Sequence, residues 1–296
     1  MYLNDLLFLI KEEYNLKEVF MKLNDKLLSQ GIIYSEINKN LKFYVVLIRP
    51  ETAGNIGAIA RIMKNFDFKN LVIFNPIESI DKIRSNETQG YAMHGKDILI
   101  NAEIILIENQ EDHIFEYKNL IKNYDLVIAT TAKGSHFRNI RRIAIFPQDL
   151  FIPISKDSLK VALVFGRESH GLSNEEVESA DILLRIPTSN VYPTLNLSHA
   201  CGIVLYELYK KFHILGRNQS KKSILLANKG DRVILYNILE NLLNKLKIRA
   251  HKKKRVYLAF KNIFERAFIT KKELSLTLGV FSKIVSILKN LKLYKK

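Results

Sequence analysis

Arg61 has a side chain and a setting that suit chemistry on an anion. It follows residues 54–57 (GNIG), which come shortly after an apolar segment. The spacing predicts a helix that begins at Ile56 with Asn55 as its N-cap, and only small residues occupy the turn before Arg61. We therefore expect the guanidinium to have room to contact a phosphate or another oxyanion. A surface arginine paired with a carboxylate is the alternative.

Residues 165–173 (FGRESHGLS) form a second candidate group at the end of another apolar run. Gly166 would let a ligand approach the backbone closely, and Gly171 suits a turn with positive φ. Glu168 between the two glycines could hold a basic group of the loop or of a substrate; a solvated loop carboxylate is equally consistent with the pattern. The residue types therefore predict a ligand-binding loop.

The third group is the pair of segments 186–188 (IPT) and 192–200 (YPTLNLSHA). Two prolines stiffen this loop, and Thr194 and Asn196 stand where it enters a long helical pattern. Free backbone amides at such a helix start bind anions and carbonyl groups. The alternative is that Thr194 and Asn196 only cap the helix.

The elements that must position these groups form an alternating pattern. Six short apolar runs are expected to be strands: 43–48, 71–74, 103–107, 126–129, 161–165 and 182–186. Most are apolar continuously, which is typical of strands buried on both faces of a parallel sheet. Helical patterns such as 56–66 and 197–212 separate them, and Ser173 with Glu176 predicts a capping box. The body is therefore predicted to be α/β, with each candidate group at a strand end, where open α/β sheets bind ligands.

Charge divides the chain unevenly. Of the net +16, residues 211–296 carry 22 Lys and Arg against 4 Asp and Glu, a net of +18, while residues 1–210 have a net of −2. This pattern predicts a catalytic body with an appended module that binds a polyanion, nucleic acid in particular. A lysine-rich solvated surface is the alternative. One cysteine, Cys201, excludes a disulfide framework and a Cys-based zinc site.

Other classes of protein lack support in the sequence. Neither a G-x-G-x-x-G run after a strand nor a P-loop is present. No apolar stretch approaches the length of a membrane span, and the run 6–10 lacks the preceding lysines of a secretory signal. We therefore expect no membrane association and a reducing compartment, the cytoplasm.

Four segments follow from these patterns. Residues 1–40 are predicted to be a helical extension to which the sequence assigns no role, residues 41–212 a catalytic domain, and residues 213–228 a polar linker. Residues 229–296 are predicted to be a basic helical domain with helices near 233–246, 256–264 and 271–291. Its densest basic cluster is the candidate contact with nucleic acid: Lys252, Lys253, Lys254 and Arg255.

In this order and at these separations, the three candidate groups resemble the motifs of SPOUT-class RNA methyltransferases. The most similar group is the TrmH/SpoU family, and within it the TrmJ-like tRNA (cytidine/uridine-2′-O)-methyltransferases. The resemblance covers about residues 43–210 and is carried by segments 50–66, 92–97, 162–176 and 186–208; segment 266–273 matches more loosely. Asp67 departs from the usual glycine, and Thr194 replaces a frequent serine.

The resemblance implies a fold, a cofactor and a set of site residues. It implies a SPOUT-type parallel sheet with a C-terminal trefoil knot, S-adenosylmethionine as methyl donor, and a homodimer whose active sites lie across the interface. Arg61 is then the catalytic arginine, with Asn55, Glu168 and Asn196 in the same site. The implied cofactor contacts are Thr130, Thr131, Ala132, Gly166, Ile186, Pro193, Thr194 and Leu195.

The activity that we expect is 2′-O-methylation of a ribose in tRNA, at a pyrimidine of the anticodon loop, with no metal required. A guanidinium holds its proton too firmly to serve as a base. We therefore expect Arg61 to hold a phosphate and stabilise the developing alkoxide. The alternatives are methylation of rRNA, a non-catalytic RNA-binding protein, and an adenosylmethionine enzyme that acts on another substrate.

Overall fold

The computed structural model describes residues 41–132, 143–150, 152, 158–211, 225–246 and 248–290. Six strands are found there: β1 (Leu41–Ile48), β2 (Asn70–Phe74), β3 (Glu103–Ile105), β4 (Leu126–Thr130), β5 (Leu159–Phe165) and β6 (Ile182–Leu184). They form one sheet in the order β3-β2-β1-β5-β4-β6, and every pairing is parallel. All six predicted strands are confirmed, with ends that differ by at most two residues.

The centre of the sheet explains the uninterrupted apolar runs. On β1, Val45 and Leu47 belong to one hydrophobic core, while Val46 and Ile48 belong to a second core on the opposite face. All four side chains are fully buried. Since successive side chains of a strand point to opposite faces, a strand covered on both sides has no position for a polar residue.

Helices cover both faces of this sheet. Those of the α/β body are α1 (Ala53–Asn65), α2 (Ile80–Ile83), α3 (Asn86–Ala92), α4 (Lys96–Ile100), α5 (His113–Ile121), α6 (Asn174–Ser179) and α7 (Leu197–Tyr209). Helices α1, α4 and α7 contribute to the core that contains Val45, and Cys201 of α7 is buried there as a small apolar residue. Helices α5 and α6 contribute Tyr117 and Val177 to the opposite core. The predicted α/β class is confirmed.

Three further helices follow the body: α8 (Lys229–Lys245), α9 (Ala250–Ala267) and α10 (Lys271–Asn290). Their small core contains Leu235, Tyr236 and Leu274, with Tyr257 and Phe264 packed against it. Aromatic residues of α9 therefore take part in packing between these helices.

Lysine side chains of α8 and α9 bind carbonyl groups at the ends of two helices of the α/β body. Lys229 Nζ donates to the carbonyl oxygens of Ile121 (2.7 Å) and Tyr124 (3.0 Å), where α5 ends. Lys261 Nζ donates to the carbonyl of Ala180 (3.0 Å), just after α6. The last carbonyls of a helix lack intrahelical partners and carry partial negative charge, so they favour a cation. The C-terminal helices are thus anchored to the body at two helix ends.

A buried charge pair completes this contact. Arg232 donates to the carbonyl oxygen of Asp125 (2.6 Å) and lies 3.4 Å from Glu265. Tyr236 donates to the same glutamate at 2.7 Å. Burial raises the pKa of Glu265, and nearby Asp181 raises it further, while Arg232 opposes both effects. Removing Glu265 would take away the carboxylate partner of the buried Arg232 guanidinium, which is destabilising.

Two predictions lie outside the described residues: the helical pattern in residues 1–40 and most of the linker 213–228. Among the residues that the structure does describe, no helix has the length and apolar character needed to cross a membrane.

Candidate active site

A cavity of about 390 Å³ opens at the carboxyl ends of β4, β5 and β6. Open parallel sheets bind ligands at this edge, and the volume falls in the range of about 300–1,000 Å³ typical of small-molecule sites. All the residues for which the sequence suggested cofactor contact lie in its wall: Thr130, Thr131, Ala132, Gly166, Ile186, Pro193, Thr194 and Leu195. Four separate stretches of the chain thus meet around one space.

The 166–173 loop forms one side of the cavity and doubles back on itself. The amide of Gly171 donates to the carbonyl of Arg167 (2.9 Å), and Gly171 has a φ of 68°, as its sequence position suggested. A Cβ on Gly166 would lie 2.3 Å from the carbonyl carbon of Gly171 and 2.4 Å from the nitrogen of Leu172. The close approach that the structure shows at Gly166 is that of the returning limb of its own loop. Approach of a ligand to the Gly166 backbone stays a prediction.

Glu168 joins this loop to the start of α1. Its Oε2 accepts a hydrogen bond from the amide of Glu51 (2.8 Å), and its Oε1 accepts from the amide of Thr52 (3.2 Å) and from Asn55 Nδ2 (2.9 Å). A carboxylate is favourable there because the amides at a helix start lack partners and carry partial positive charge. Glu168 is therefore a partner of the helix start. It is not a solvated loop carboxylate.

Asn55 and Asn196 extend the same network to α7. Asn196 Nδ2 donates to Asn55 Oδ1 at 3.1 Å, while Asn196 Oδ1 accepts from the amides of Ser198 (2.9 Å) and His199 (3.4 Å). Asn196 thus caps α7 and contacts another motif as well. The prediction that Asn55 is an N-cap is wrong, because the helix begins at Ala53 and Asn55 lies in its first turn. Its side chain bonds Glu168 instead of the helix backbone.

Arg61 lies apart from these three residues. It is exposed on α1, it does not belong to the cavity wall, and it forms no hydrogen bond or ion pair within the described part of the chain. Gly57, one turn before Arg61, is covered by α3, because a Cβ on Gly57 would lie 2.5 Å from the carbonyl oxygen of Thr88. Gly57 thus allows α1 and α3 to pack closely. The single protomer brings Asn55, Glu168 and Asn196 together, whereas Arg61 has no side-chain partner among the residues that the structure describes.

The sequence did not single out a cluster behind the 166–173 loop. Arg167 forms two hydrogen bonds with the carboxylate of Glu176 (3.0 and 2.9 Å), which also lies 2.6 Å from His113 Nε2. The capping box that the sequence suggested is confirmed: Glu176 accepts from the amide of Ser173 (2.7 Å) and donates its own amide to Ser173 Oγ (3.1 Å). Burial works to raise the pKa of Glu176, but His113, Arg167 and Ser173 outweigh it and hold the pKa at about 2. Glu176 is therefore an anion at neutral pH.

The basic cluster of α9 divides into two kinds of cation. Lys254 forms an ion pair with Glu178 of α6 at 3.0 Å, so part of its charge serves the docking of α9 on the body. Lys252 and Arg255 are exposed, and Lys253 is partly exposed. No ion pair of these three is found among the described residues, which leaves them available for a polyanion.

The chain is similar to proteins of known family over most of its length. The model of the SpoU rRNA Methylase family matches residues 42–206. A tRNA (cytidine-2′-O-)-methyltransferase TrmJ of Methanocaldococcus jannaschii is 38% identical over 77% of this chain and 94% of its own length. The protein of the same name from Sulfolobus acidocaldarius is 35% identical over 68% of this chain and 84% of its own. A solved structure, a probable methylase family protein from Haemophilus influenzae, aligns with a TM-score of 0.55 at 25% identity, covering 86% of this chain and 98% of that one.

Proposed function

Because the chain belongs to the SpoU rRNA methylase family, we propose that it transfers a methyl group from S-adenosylmethionine to a ribose 2′-hydroxyl of tRNA. The observation that carries this proposal is that all eight suggested cofactor residues meet in one cavity beside the Glu168–Asn55–Asn196 network. The names of the two archaeal relatives specify tRNA and the cytidine 2′-oxygen, which favours tRNA over rRNA as the substrate.

The cavity suits S-adenosylmethionine in size and in lining. Leu184, Ile186 and Leu195 offer apolar surface to a flat base, and the backbone of the 166–173 loop offers polar groups beside it. When bound, this cofactor supplies a methyl group on a positively charged sulfur, already activated for displacement. The residues of the chain then need only align the acceptor oxygen and stabilise the charge that it develops.

Each residue of the proposed site has a distinct task. Glu168, Asn55 and Asn196 tie the 166–173 loop, the start of α1 and the start of α7 into one unit. Arg61, on the same α1, holds the phosphate next to the target ribose and stabilises the alkoxide as the proton leaves to water or a phosphate oxygen. The guanidinium stays protonated throughout, so its contribution is electrostatic.

A homodimer would complete this site. Arg61 does not line the cavity of its own protomer, and large apolar side chains are exposed beside its helix. Tyr91 and Tyr206 are 53% and 47% exposed; Tyr91 covers Gly54 of α1, and Tyr206 packs near Phe66 just after that helix. We infer that this surface pairs with a second copy and that Arg61 of the partner subunit serves the cavity. The trefoil knot that the resemblance implies belongs to the same proposal.

The segments keep the roles that the sequence suggested. In this proposal residues 41–212 are the catalytic domain, residues 213–228 are a linker, and residues 229–296 bind RNA, while residues 1–40 have no assigned role. A cytoplasmic location stays a prediction, as does a reaction that needs no metal.

Incubating the purified protein with methyl-labelled S-adenosylmethionine and either total tRNA or rRNA tests the activity. We expect label in tRNA, at the 2′-oxygen of a pyrimidine in the anticodon loop, when the RNA is digested and its nucleosides are mapped. Label confined to rRNA would instead support the alternative substrate. Cofactor binding without transfer to either RNA would indicate an RNA-binding protein that has lost catalysis.

Neutralising the three available cations of α9, as Lys252→Gln, Lys253→Gln and Arg255→Gln together, should weaken tRNA binding. Each lost phosphate contact lowers the slope of log K against log salt by about 0.9 for duplex nucleic acid, so we expect a slope smaller by roughly 2 to 3. A fluorescence titration of tRNA at several salt concentrations measures it.

The matched control removes three exposed lysines from the surface of the body, as Lys42→Gln, Lys118→Gln and Lys122→Gln. An equal loss in both triple variants would mean that only net charge matters. An unchanged slope in the first variant would contradict RNA binding by α9. Deleting the C-terminal helices is a poorer test, because it would also remove Lys229 and Lys261 from the ends of α5 and α6.

A further inference from the structure

We propose that Arg167, Glu176 and His113 form a positioning cluster that sets the shape of the 166–173 loop and, through it, the affinity for the cofactor. The inference deepens the proposed function and rests on it. None of the three side chains needs to touch the reacting atoms. Their role would be to hold the 166–173 loop, which forms one side of the cavity.

Arg167 connects the two limbs of the loop to α6. Its Nη1 donates to the carbonyl oxygen of Gly171 (3.0 Å) and to Glu176 Oε2 (3.0 Å), while Nη2 donates to Glu176 Oε1 (2.9 Å). The planar guanidinium matches the carboxylate in a two-pronged pair, a geometry that lysine cannot reproduce. Although Arg167 lies in the cavity wall, these contacts direct its guanidinium into the protein.

Glu176 is the fixed point of the cluster. Its side chain has no exposed surface, and it accepts hydrogen bonds from Arg167, from His113 and from the amide of Ser173. A buried carboxylate without partners would be strongly unfavourable. The surrounding donors compensate for that cost, which is why the pKa of Glu176 is lowered in spite of burial. The loop end at Ser173 and the arginine at its beginning thus share one anchor.

His113 links this anchor to a different part of the sheet. It is the first residue of α5, and its ring centroid lies 5.4 Å from that of Phe74 at the end of β2. Its Nε2 lies 2.6 Å from Glu176 Oε1, and since a carboxylate can only accept, Nε2 must carry the proton. Arg167 Nη2 and His113 Nε2 meet at the same oxygen, Glu176 Oε1, and lie 3.2 Å from each other. The three side chains therefore form one contact group that fixes α6 and the loop before it.

The loop is consequently held both at its ends and at its tip. The cluster fixes its ends through Gly171 and Ser173, and Glu168 at its tip bonds the start of α1. Losing the cluster would release the ends of the loop and let this wall of the cavity open. We expect that to weaken cofactor binding, whereas turnover with saturating cofactor depends mainly on Arg61 and should change little.

The test compares the wild type with Arg167→Met and with the pair His113→Gln and His113→Leu. For Arg167→Met we expect the Kd for S-adenosylmethionine, measured by calorimetry, to rise at least about tenfold, with kcat at saturating cofactor within about threefold. Glutamine can still donate to Glu176 and should keep the wild-type affinity. Leucine cannot, and it should lower the affinity as Arg167→Met does. Circular dichroism and thermal unfolding confirm that each variant is folded.

Three outcomes separate the proposals. Wild-type protein that does not bind S-adenosylmethionine would overturn the proposed function, and the role of the cluster with it. Wild-type binding that Arg167→Met and His113→Leu retain would overturn the cluster alone. Equal losses in His113→Gln and His113→Leu would show that the hydrogen bond to Glu176 is not what matters, and would also overturn the proposal.

Discussion

Arg61→Ala should reduce methyl transfer by about a hundredfold to a thousandfold, the usual loss when one group that stabilises a developing oxyanion is removed. The Kd for S-adenosylmethionine should stay within about twofold, because in the proposed role Arg61 contacts a phosphate of the RNA and not the cofactor. Thermal stability should not change either, since Arg61 is exposed and has no hydrogen bond or ion pair within the described residues. Single-turnover kinetics with tRNA and a cofactor titration measure the two quantities separately.

Arg61→Lys distinguishes charge from geometry. A lysine keeps the positive charge but cannot contact a phosphate through two parallel hydrogen bonds, so we expect it to recover little of the lost rate. Nearly full activity in the lysine variant would leave charge as the sole requirement. Substantial activity in Arg61→Ala, by contrast, would refute the catalytic role of this residue.

The sheet was predictable because its strands are buried on both faces. The last four side chains of β1 are fully buried, so no polar residue interrupts this apolar run. Such a strand can be recognised from its own sequence, without knowing which strands lie beside it. The capping box of Ser173 and Glu176 was predictable for a similar reason, since both partners lie within one turn. Both predictions rested on local patterns in the sequence.

The start of α1 was assigned wrongly because its partner is distant in the sequence. Asn55 is a good N-cap by residue type, but Glu168, more than a hundred residues later, accepts from the amides of Glu51 and Thr52. That contact frees Asn55 to lie within the first turn. The Glu176–His113 pair, 63 residues apart, left no local signal for the same reason.

The total charge of the C-terminal segment indicated a function for that segment, but the charge of an individual residue did not indicate the role of that residue. The excess of lysine and arginine after residue 210 predicted a module for polyanions. Lys229, Arg232 and Lys261 instead bond backbone carbonyls of the body, and Lys254 pairs with Glu178. Composition cannot distinguish a cation that docks a helix from one that faces solvent, because that difference exists only in the packed chain.

Gly166→Ala should inactivate the cavity of the protomer that carries it. The new Cβ would lie 2.3 Å and 2.4 Å from backbone atoms of the returning limb, which cannot move as a flexible side chain can. Overpacking of this kind costs up to about 3 kcal/mol, or roughly a hundredfold in cofactor affinity if the loop opens to relieve it. Gly90→Ala is the matched control, because a Cβ there meets no atom within 4 Å. Equal cofactor binding by both variants would contradict the role of the loop.

Hybrid dimers of Arg61→Ala and Gly166→Ala decide whether the site is shared between protomers. If Arg61 of the partner subunit serves each cavity, one of the two sites in a hybrid combines an intact Gly166 loop with an intact arginine, and the other site carries both defects. A hybrid isolated with two affinity tags should then recover about half of the wild-type activity per dimer, although each parent is nearly inactive. If each protomer uses its own Arg61, every site in the hybrid has one defect, and activity stays at the level of the parents. Methyl transfer to tRNA at limiting S-adenosylmethionine, where the Gly166→Ala cavity is empty, distinguishes the two arrangements.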